Sequence, residues 1–340
     1  MQPQVDDIKY PVISIIVPVK NGERTIARCI ESIRALSYPR FELIAINDGS
    51  TDGTAAILRS FSGDPRISTI ETAGIGPSAA RNKAIAHARG EYLAFTDGDC
   101  IVEPAWLDEL LSGFKAVNFQ RIGAVGGVQE SPDDDTTFGK TTQQFMKAIG
   151  FITDYAKDGR NCDIIRATTH NASCNVMYRK EVFDKIGLFH EGMWPGEDVE
   201  LDLRATMAGY TLLFNPKAVV RHYRPQNMAG FRRMMQRYGY AQAILVKEYG
   251  YFRPIQYVPV LSAAACVTSV IMAVNGYAVY LLAGCASILA LIHGYFFAGT
   301  KRPLQHAMLF INTLIFWHCG FYSTLLNYNE TTMRAFGGHQ

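Results

Sequence analysis

Phe41-Glu-Leu-Ile-Ala-Ile-Asn-Asp-Gly-Ser-Thr-Asp-Gly53 is a mostly apolar run that ends abruptly in Asn, Asp, Ser and Gly. Phe41 to Ile46 reads as a strand, the polar residues as a turn, and Thr54 to Phe61 as the helix that follows. The pattern repeats on both sides. Upstream, the β-branched run Val12 to Val17 stops at Pro18 and gives way to helical periodicity from Glu23 to Leu36, with Ile26, Ile30 and Ile33 on one face. Downstream come Ile67 to Ile70, a helix around Ala79 to Ala88, and the strand Glu91 to Phe95. Strands alternating with helices predict an α/β fold built on a doubly wound, mostly parallel sheet.

Such sheets bind ligands at the carboxyl ends of their strands. Here those ends carry Pro18, Val19, Asn21 and Glu23, then Asn47 and Asp48, then Thr96-Asp97-Gly98-Asp99. Singly, Asp48 starts a turn and Asp99 caps a helix beginning near Pro104. Polar residues at three strand ends together point to a ligand site. Two carboxylates spaced by one glycine offer oxygen to a hard divalent cation, Mg2+ or Mn2+, and leave positions open for phosphate oxygens. The chain has no GxxxxGK[ST] and no GxGxxG after its first strand, which argues against a P-loop NTPase and a Rossmann dehydrogenase. Further on, Trp194-Pro-Gly-Glu-Asp-Val-Glu-Leu-Asp-Leu-Arg204 reads as a turn and a helix whose first turn holds Glu197 and Asp198. These residues suit the helix dipole, and a carboxylate so placed is also a candidate general base. Val219-Val-Arg-His222 reads as a strand ending in a potential third metal ligand.

Composition divides the chain. Its mean hydropathy is +0.02 over 340 residues, yet Pro254 to Thr300 holds 47 residues without Asp, Glu, Lys or Arg, and Pro303 to Asn329 another 27. Ile255 to Val274, Tyr277 to Ala298 and Leu304 to Leu326 are each long enough to cross a bilayer, giving two to three spans with a turn at Asn275-Gly276. The near balance of 33 basic and 31 acidic residues argues against a nucleic-acid partner. Basic residues do cluster just ahead of the apolar strips, where Arg232, Arg233, Arg237, Lys247 and Arg253 lie on or just past a predicted helix from Met228 to Tyr249. That helix is expected to lie at lipid headgroups. The first residues, MQPQVDDIKYP, show no secretion signal, and Lys301-Arg302 beside the apolar hairpin fits the positive-inside rule. The expectation is an inner-membrane protein with its front domain in the cytosol. Seven cysteines without a CxxC do not form a disulfide framework.

Five ordered stretches, Ile16-Val-Pro-Val-Lys-Asn-Gly-Glu23, Asn47-Asp-Gly-Ser-Thr-Asp-Gly53, Ala80-Arg-Asn-Lys83, Thr96-Asp-Gly-Asp99 and Gly196-Glu-Asp198, resemble the family 2 glycosyltransferases, which adopt the GT-A fold. The likeness covers roughly residues 10 to 225. The loop Asn171-Ala-Ser-Cys-Asn-Val-Met-Tyr-Arg-Lys180 and the apolar tail are similar to the membrane-associated bacterial branch of that family, which includes succinoglycan-biosynthesis glucosyltransferases. The resemblance implies that Pro18, Val19, Asn21, Glu23 and Asp48 hold the nucleobase and ribose of a sugar nucleotide, with Arg81 and Lys83 near the nucleotide. Asp97 would meet ribose or sugar, Asp99 and His222 the Mn2+ or Mg2+ ion, and Asp198 would act as base in an inverting transfer. Glu197 and Arg237 fall on the acceptor side, although Arg237 also reads as a membrane anchor. Processive synthases of this family carry Gln-x-x-Arg-Trp, whereas this chain has Gln236-Arg-Tyr-Gly239, so one sugar per encounter is expected.

The sequence therefore predicts a catalytic domain over 1–225, a basic amphipathic helix over 226–253, a membrane domain over 254–328 and a polar tail over 329–340. The expected reaction moves a sugar from a nucleotide-sugar, a UDP-sugar above all, to a lipid-linked saccharide or polyprenyl-linked acceptor. Transfer to polyprenyl phosphate itself is the alternative within the class, and a nucleotide-binding membrane scaffold the alternative outside it. Carboxylates at 97, 99 and 198 together speak against the scaffold, which needs no general base. The identity of the sugar is expected to depend on the Thr136 to His170 region.

Overall fold

The polar strand ends meet along one nine-stranded sheet. The computed structural model describes residues 10–150, 164–279 and 302–327, together with Gly284, Leu291 and Gly294. Its strands are β1 (Ile13–Val19), β2 (Phe41–Asp48), β3 (Ile67–Thr72), β4 (Tyr92–Phe95), β5 (Cys100–Val102), β6 (Ile122–Glu130), β7 (Arg166–Thr168), β8 (Val176–Arg179) and β9 (Thr211–His222). They lie in the order β3-β2-β1-β4-β8-β6-β9-β5, with β7 beside β9. β1 and β2 are buried along their whole lengths, as continuous apolar strands of a sheet covered on both faces must be. The first four strands are parallel. Antiparallel β8 then separates β4 from β6, and β5 pairs antiparallel with β9. β1 has neighbours reached in opposite directions, β2 and β4, so the crevice at its carboxyl end is a topological switch point.

Helices α1 (Ile26–Arg34), α2 (Thr54–Ser60), α3 (Pro77–His87) and α4 (Trp106–Gly113) connect these strands. α1 buries Ile26, Cys29, Ile30 and Ile33, a single stripe at helical spacing. It starts three residues later than the sequence periodicity suggests, because residues 21 to 25 are used to tie two loops together. α3 starts at Pro77, where a missing N–H costs nothing.

The chain divides into two compact units: residues 10–135 with 164–223, and residues 136–150 with 224–327. The first holds the whole sheet. The second contains α5 (Thr137–Ala148), which sequence continuity assigns to the catalytic domain, and α8 (Met228–Tyr249), α9 (Val258–Val274) and α10 (Pro303–Asn327). α6 (Lys180–Ile186) and α7 (Glu197–Met207) belong to the first.

Within the second unit α8 and α10 touch backbone to backbone. A Cβ added at Gly239 would lie 1.9 Å from the Trp317 carbonyl oxygen, and one at Gly320 would lie 2.0 Å from that of Gln236. Small residues that let helices approach this closely are the usual device of membrane helices. Arg232 Nε donates to Asn312 Oδ1 of α10 at 2.7 Å, so this arginine is engaged inside the unit rather than on headgroups. α9 buries only Pro259. Two segments, Pro254–Val274 and Pro303–Asn327, are long and apolar enough to span a bilayer, which suggests membrane association. The expected span from Tyr277 to Ala298 falls almost wholly outside the described residues, as does the polar tail after 328.

Candidate active site

The loops after β1 and β2 are stitched together. Asn21 N donates to Ser50 Oγ at 2.9 Å, Asn21 Oδ1 accepts from Thr51 N at 2.8 Å, and Gly22 N donates to Thr54 Oγ1 at 2.8 Å. Glu23 Oε2 accepts from Gly53 N at 2.8 Å. Pro18, Val19 and Asn21 thereby form one wall of a cleft of about 240 Å³. Glu23 does not line it; its carboxylate braces the wall from outside. Asp48 closes the end. Its Oδ1 accepts from Thr72 Oγ1 at 2.6 Å and Ile75 N at 2.7 Å, and its Oδ2 from Gly76 N at 2.8 Å. With 4% of its surface exposed, Asp48 lines the cleft mainly by fixing the turn before α3.

Arg81 is the hub of the far wall. Its guanidinium, 2% exposed, donates to Asp97 Oδ1 and to Glu197 Oε1, each at 2.8 Å, and so ties the end of β4 to the start of α7. Burial pulls its pKa down, but Asp97, Glu197 and Asp198 outweigh that and keep it charged. Glu197, expected on the acceptor side, is instead buried behind the cleft, because Arg81 needs a second counter-charge. Burial raises its pKa to about 7, Asp198 adds to the rise and Arg81 opposes it. Lys83 is likewise absent from the cleft. It lies two residues beyond Arg81 on α3, about 200° around the helix, and is exposed.

Asp97, Asp99 and His222 converge: one donor atom from each lies within 4.8 Å of the others. The sheet arranges this, since the β5–β9 register pairs Cys100 with His222 and sets the imidazole beside the preceding carboxylate. His222 Nε2 stands 3.3 Å from Asp99 Oδ1. Two carboxylates and one imidazole, with Asp99 47% exposed on the cleft, make a donor set suited to Mn2+ or Mg2+. The thiols of Cys100 and Cys174 gather behind the same imidazole.

Asp198 sits in the first turn of α7, which Gly196 opens with φ 107°, a left-handed conformation that favours glycine. Ser173 N donates to Asp198 Oδ2 at 3.1 Å, and Val199 N to Oδ1 at 2.8 Å. Trp194, which follows no spacing rule, lines the cleft just ahead of this turn, and Lys20 lines it from the β1 loop. Sequence reasoning singles out neither, although Trp194 neighbours the Glu197-Asp198 pair. It also misses His170, whose Nε2 is 4.0 Å from Asp198 Oδ2 and whose Nδ1 is 3.0 Å from Asp202 Oδ2. Asp202 is fully buried and also accepts from Tyr178 OH and Asn171 N. Arg237 lies on the exposed side of α8, in the second unit.

The family profile of glycosyl transferase family 2 matches residues 14–187, just over half of the chain, and includes the ends of the first, second and fourth strands but not Asp198 or His222. The chain belongs to glycosyl transferase family 2. Among the relatives of this glycosyltransferase, AglE of Haloferax volcanii is 32% identical over 213 residues, 60% of this chain and 64% of AglE. The poly-beta-1,6-N-acetyl-D-glucosamine synthase of Staphylococcus epidermidis is 24% identical over 242 residues, 70% of this chain and 56% of the synthase. The match therefore spans less than two thirds of either relative. Mannosyltransferase PcManGT from Pyrobaculum calidifontis, solved with GDP-Man and Mn2+, superposes with a TM-score of 0.59 at 20% identity, over 94% of this chain and 88% of its own. That likeness bears out the GT-A-like fold.

Proposed function

We propose that this glycosyltransferase is a membrane-anchored, divalent-metal-dependent, inverting enzyme that moves one sugar from a nucleotide-sugar to a lipid-linked acceptor. The observation that carries the reading is the convergence of His222 with Asp97 and Asp99, two carboxylates that line the cleft. The β1 loop and Asp48 end of the cleft would receive the nucleoside, and the three metal donors its diphosphate. A divalent ion held there would offset the charge growing on the departing nucleoside diphosphate. This chain's own part is to present Lys20 and the metal donors toward the phosphates, and to aim Asp198 at an acceptor hydroxyl. Two backbone N–H groups fix that carboxylate, so its lone pairs have a set direction. Attack from the side opposite the leaving diphosphate inverts the anomeric centre. A UDP-sugar is the first donor expected; GDP-sugars stand beside it because PcManGT was solved with one. The lipid acceptor is supported by the two apolar helices, and an inner-membrane location with the cleft in the cytosol follows the same reading.

The test uses the purified full chain, radiolabelled UDP- and GDP-sugars, Mn2+ and a membrane lipid extract. Label moving into the lipid phase, with a β-linkage from an α-linked donor, supports the proposal. No donor consumed, or consumption unaffected by chelation of the metal, overturns it.

A further inference from the structure

His170 lies between two carboxylates, only one of which the proposed reaction uses. Asp202, fully buried, accepts three hydrogen bonds, from Tyr178 OH at 2.6 Å, Asn171 N at 2.7 Å and His170 Nδ1 at 3.0 Å. A buried carboxylate is costly, and this one has no Arg or Lys among these partners. What it accomplishes is local: it fixes the tautomer and the plane of the imidazole. With Nδ1–H directed at Asp202, Nε2 carries the lone pair and lies 4.0 Å from Asp198 Oδ2, a gap that one water or a small shift of the carboxylate closes. Asp198 and Asp202 stand four residues apart on α7, one turn along the same face, and His170 spans them. The imidazole is 15% exposed, so solvent reaches its edge.

We infer that His170 is the positioning residue through which Asp198 is discharged after it has taken the acceptor's proton. The inference rests on Asp198 being the general base. In the step, the Oδ2–H bond of Asp198 breaks and a bond forms from the Nε2 lone pair of His170 to the same proton. Asp198 returns to its ionised form, and the imidazolium remains hydrogen-bonded at Nδ1 to the Asp202 carboxylate, with no net change in charge. The ring then yields the proton to water at its exposed edge. Asp202, itself held by Tyr178 OH, keeps the ring from turning, so an acceptor for the proton stands beside Asp198 after each transfer.

Two substitutions separate this role from a structural one. His170→Asn keeps a donor where Nδ1 was, preserving the bond to Asp202, and deletes Nε2; His170→Ala deletes both. Both variants are expected to lose kcat by roughly tenfold to a hundredfold, the range that outer partners of a reacting group command, with donor KM unchanged. Free imidazole should restore turnover to His170→Ala. In an Asp198→Asn background, His170→Asn should change nothing further, since the residue acts through Asp198. Wild-type kcat in His170→Asn, with Asp198→Asn inactive, overturns this inference and leaves the reading of Asp198 intact. Wild-type kcat in Asp198→Asn overturns both.

Discussion

Arg81→Met isolates the ion-pair hub that joins the two halves of the site. The substitution keeps an apolar stem of similar length and removes a guanidinium that makes two 2.8 Å charge-assisted bonds. Glu197, with 3% of its side chain exposed, is left buried and unpaired, whereas Asp97 at 28% recovers some hydration. Breaking one side of a buried pair costs about 3–5 kcal/mol, most of it the stranded carboxylate. At a urea slope of about 2 kcal/mol per molar, the midpoint falls by roughly 1.5–2.5 M. The assay is a urea titration followed by the fluorescence of Trp106, which is fully buried in the catalytic unit. Arg81→Lys places a point charge that satisfies one carboxylate at a time and loses about half as much. Adding Glu197→Gln to Arg81→Met removes the stranded charge and recovers about 2 kcal/mol. A midpoint for Arg81→Met within about 0.25 M of wild type, the range of an ordinary surface change, would show that the hub does not hold the fold together.

Other outcomes follow from the same geometry. Because Glu197 has its pKa raised to about 7 from an ordinary 4.5, the folded state binds a proton that the unfolded chain has released, so its contribution to stability falls as pH rises between those values, by up to about 3 kcal/mol. Urea midpoints measured at pH 5 and pH 8 should converge in Glu197→Gln relative to wild type. Gly239→Ala forces α8 and α10 apart, since its Cβ would sit 1.9 Å from a carbonyl oxygen, and should cost about 1–3 kcal/mol in thermal unfolding of the detergent-solubilised protein.

Much of the sheet is legible in the sequence because its information is local. β1, β2 and β4 are short apolar runs followed by polar residues, and the Asp97-Gly-Asp99 spacing survives intact into the cluster these carboxylates form with His222. His222 is readable as a strand end, but only the β5–β9 register explains why it reaches Asp99. What stays hidden depends on pairing across the chain. Arg81 and Glu197 are 116 residues apart, so nothing in either motif reveals that each neutralises the other, and the motif alone puts Glu197 on the acceptor side in consequence. Lys83 shares a motif with Arg81 but not a helix face. His170 has no motif at all; its role depends on Asp202, whose position one turn after Asp198 is the only available signal. Sequence continuity places α5 with the catalytic domain, whereas apolar partners such as Phe231, whose ring lies 5.9 Å from that of Phe145, come from far downstream in the chain.

The most direct test of a base-assisted transfer is Asp198→Asn, measured for both nucleotide-sugar binding and transfer in the presence of Mn2+. The substitution keeps volume and shape, and Asp198 does not line the cleft. Donor affinity is expected to stay within twofold of wild type, while the transfer rate falls by about a hundredfold to ten-thousandfold, the contribution of a positioned base. Transfer at the wild-type rate, with donor bound as tightly as before, would contradict a base role for Asp198.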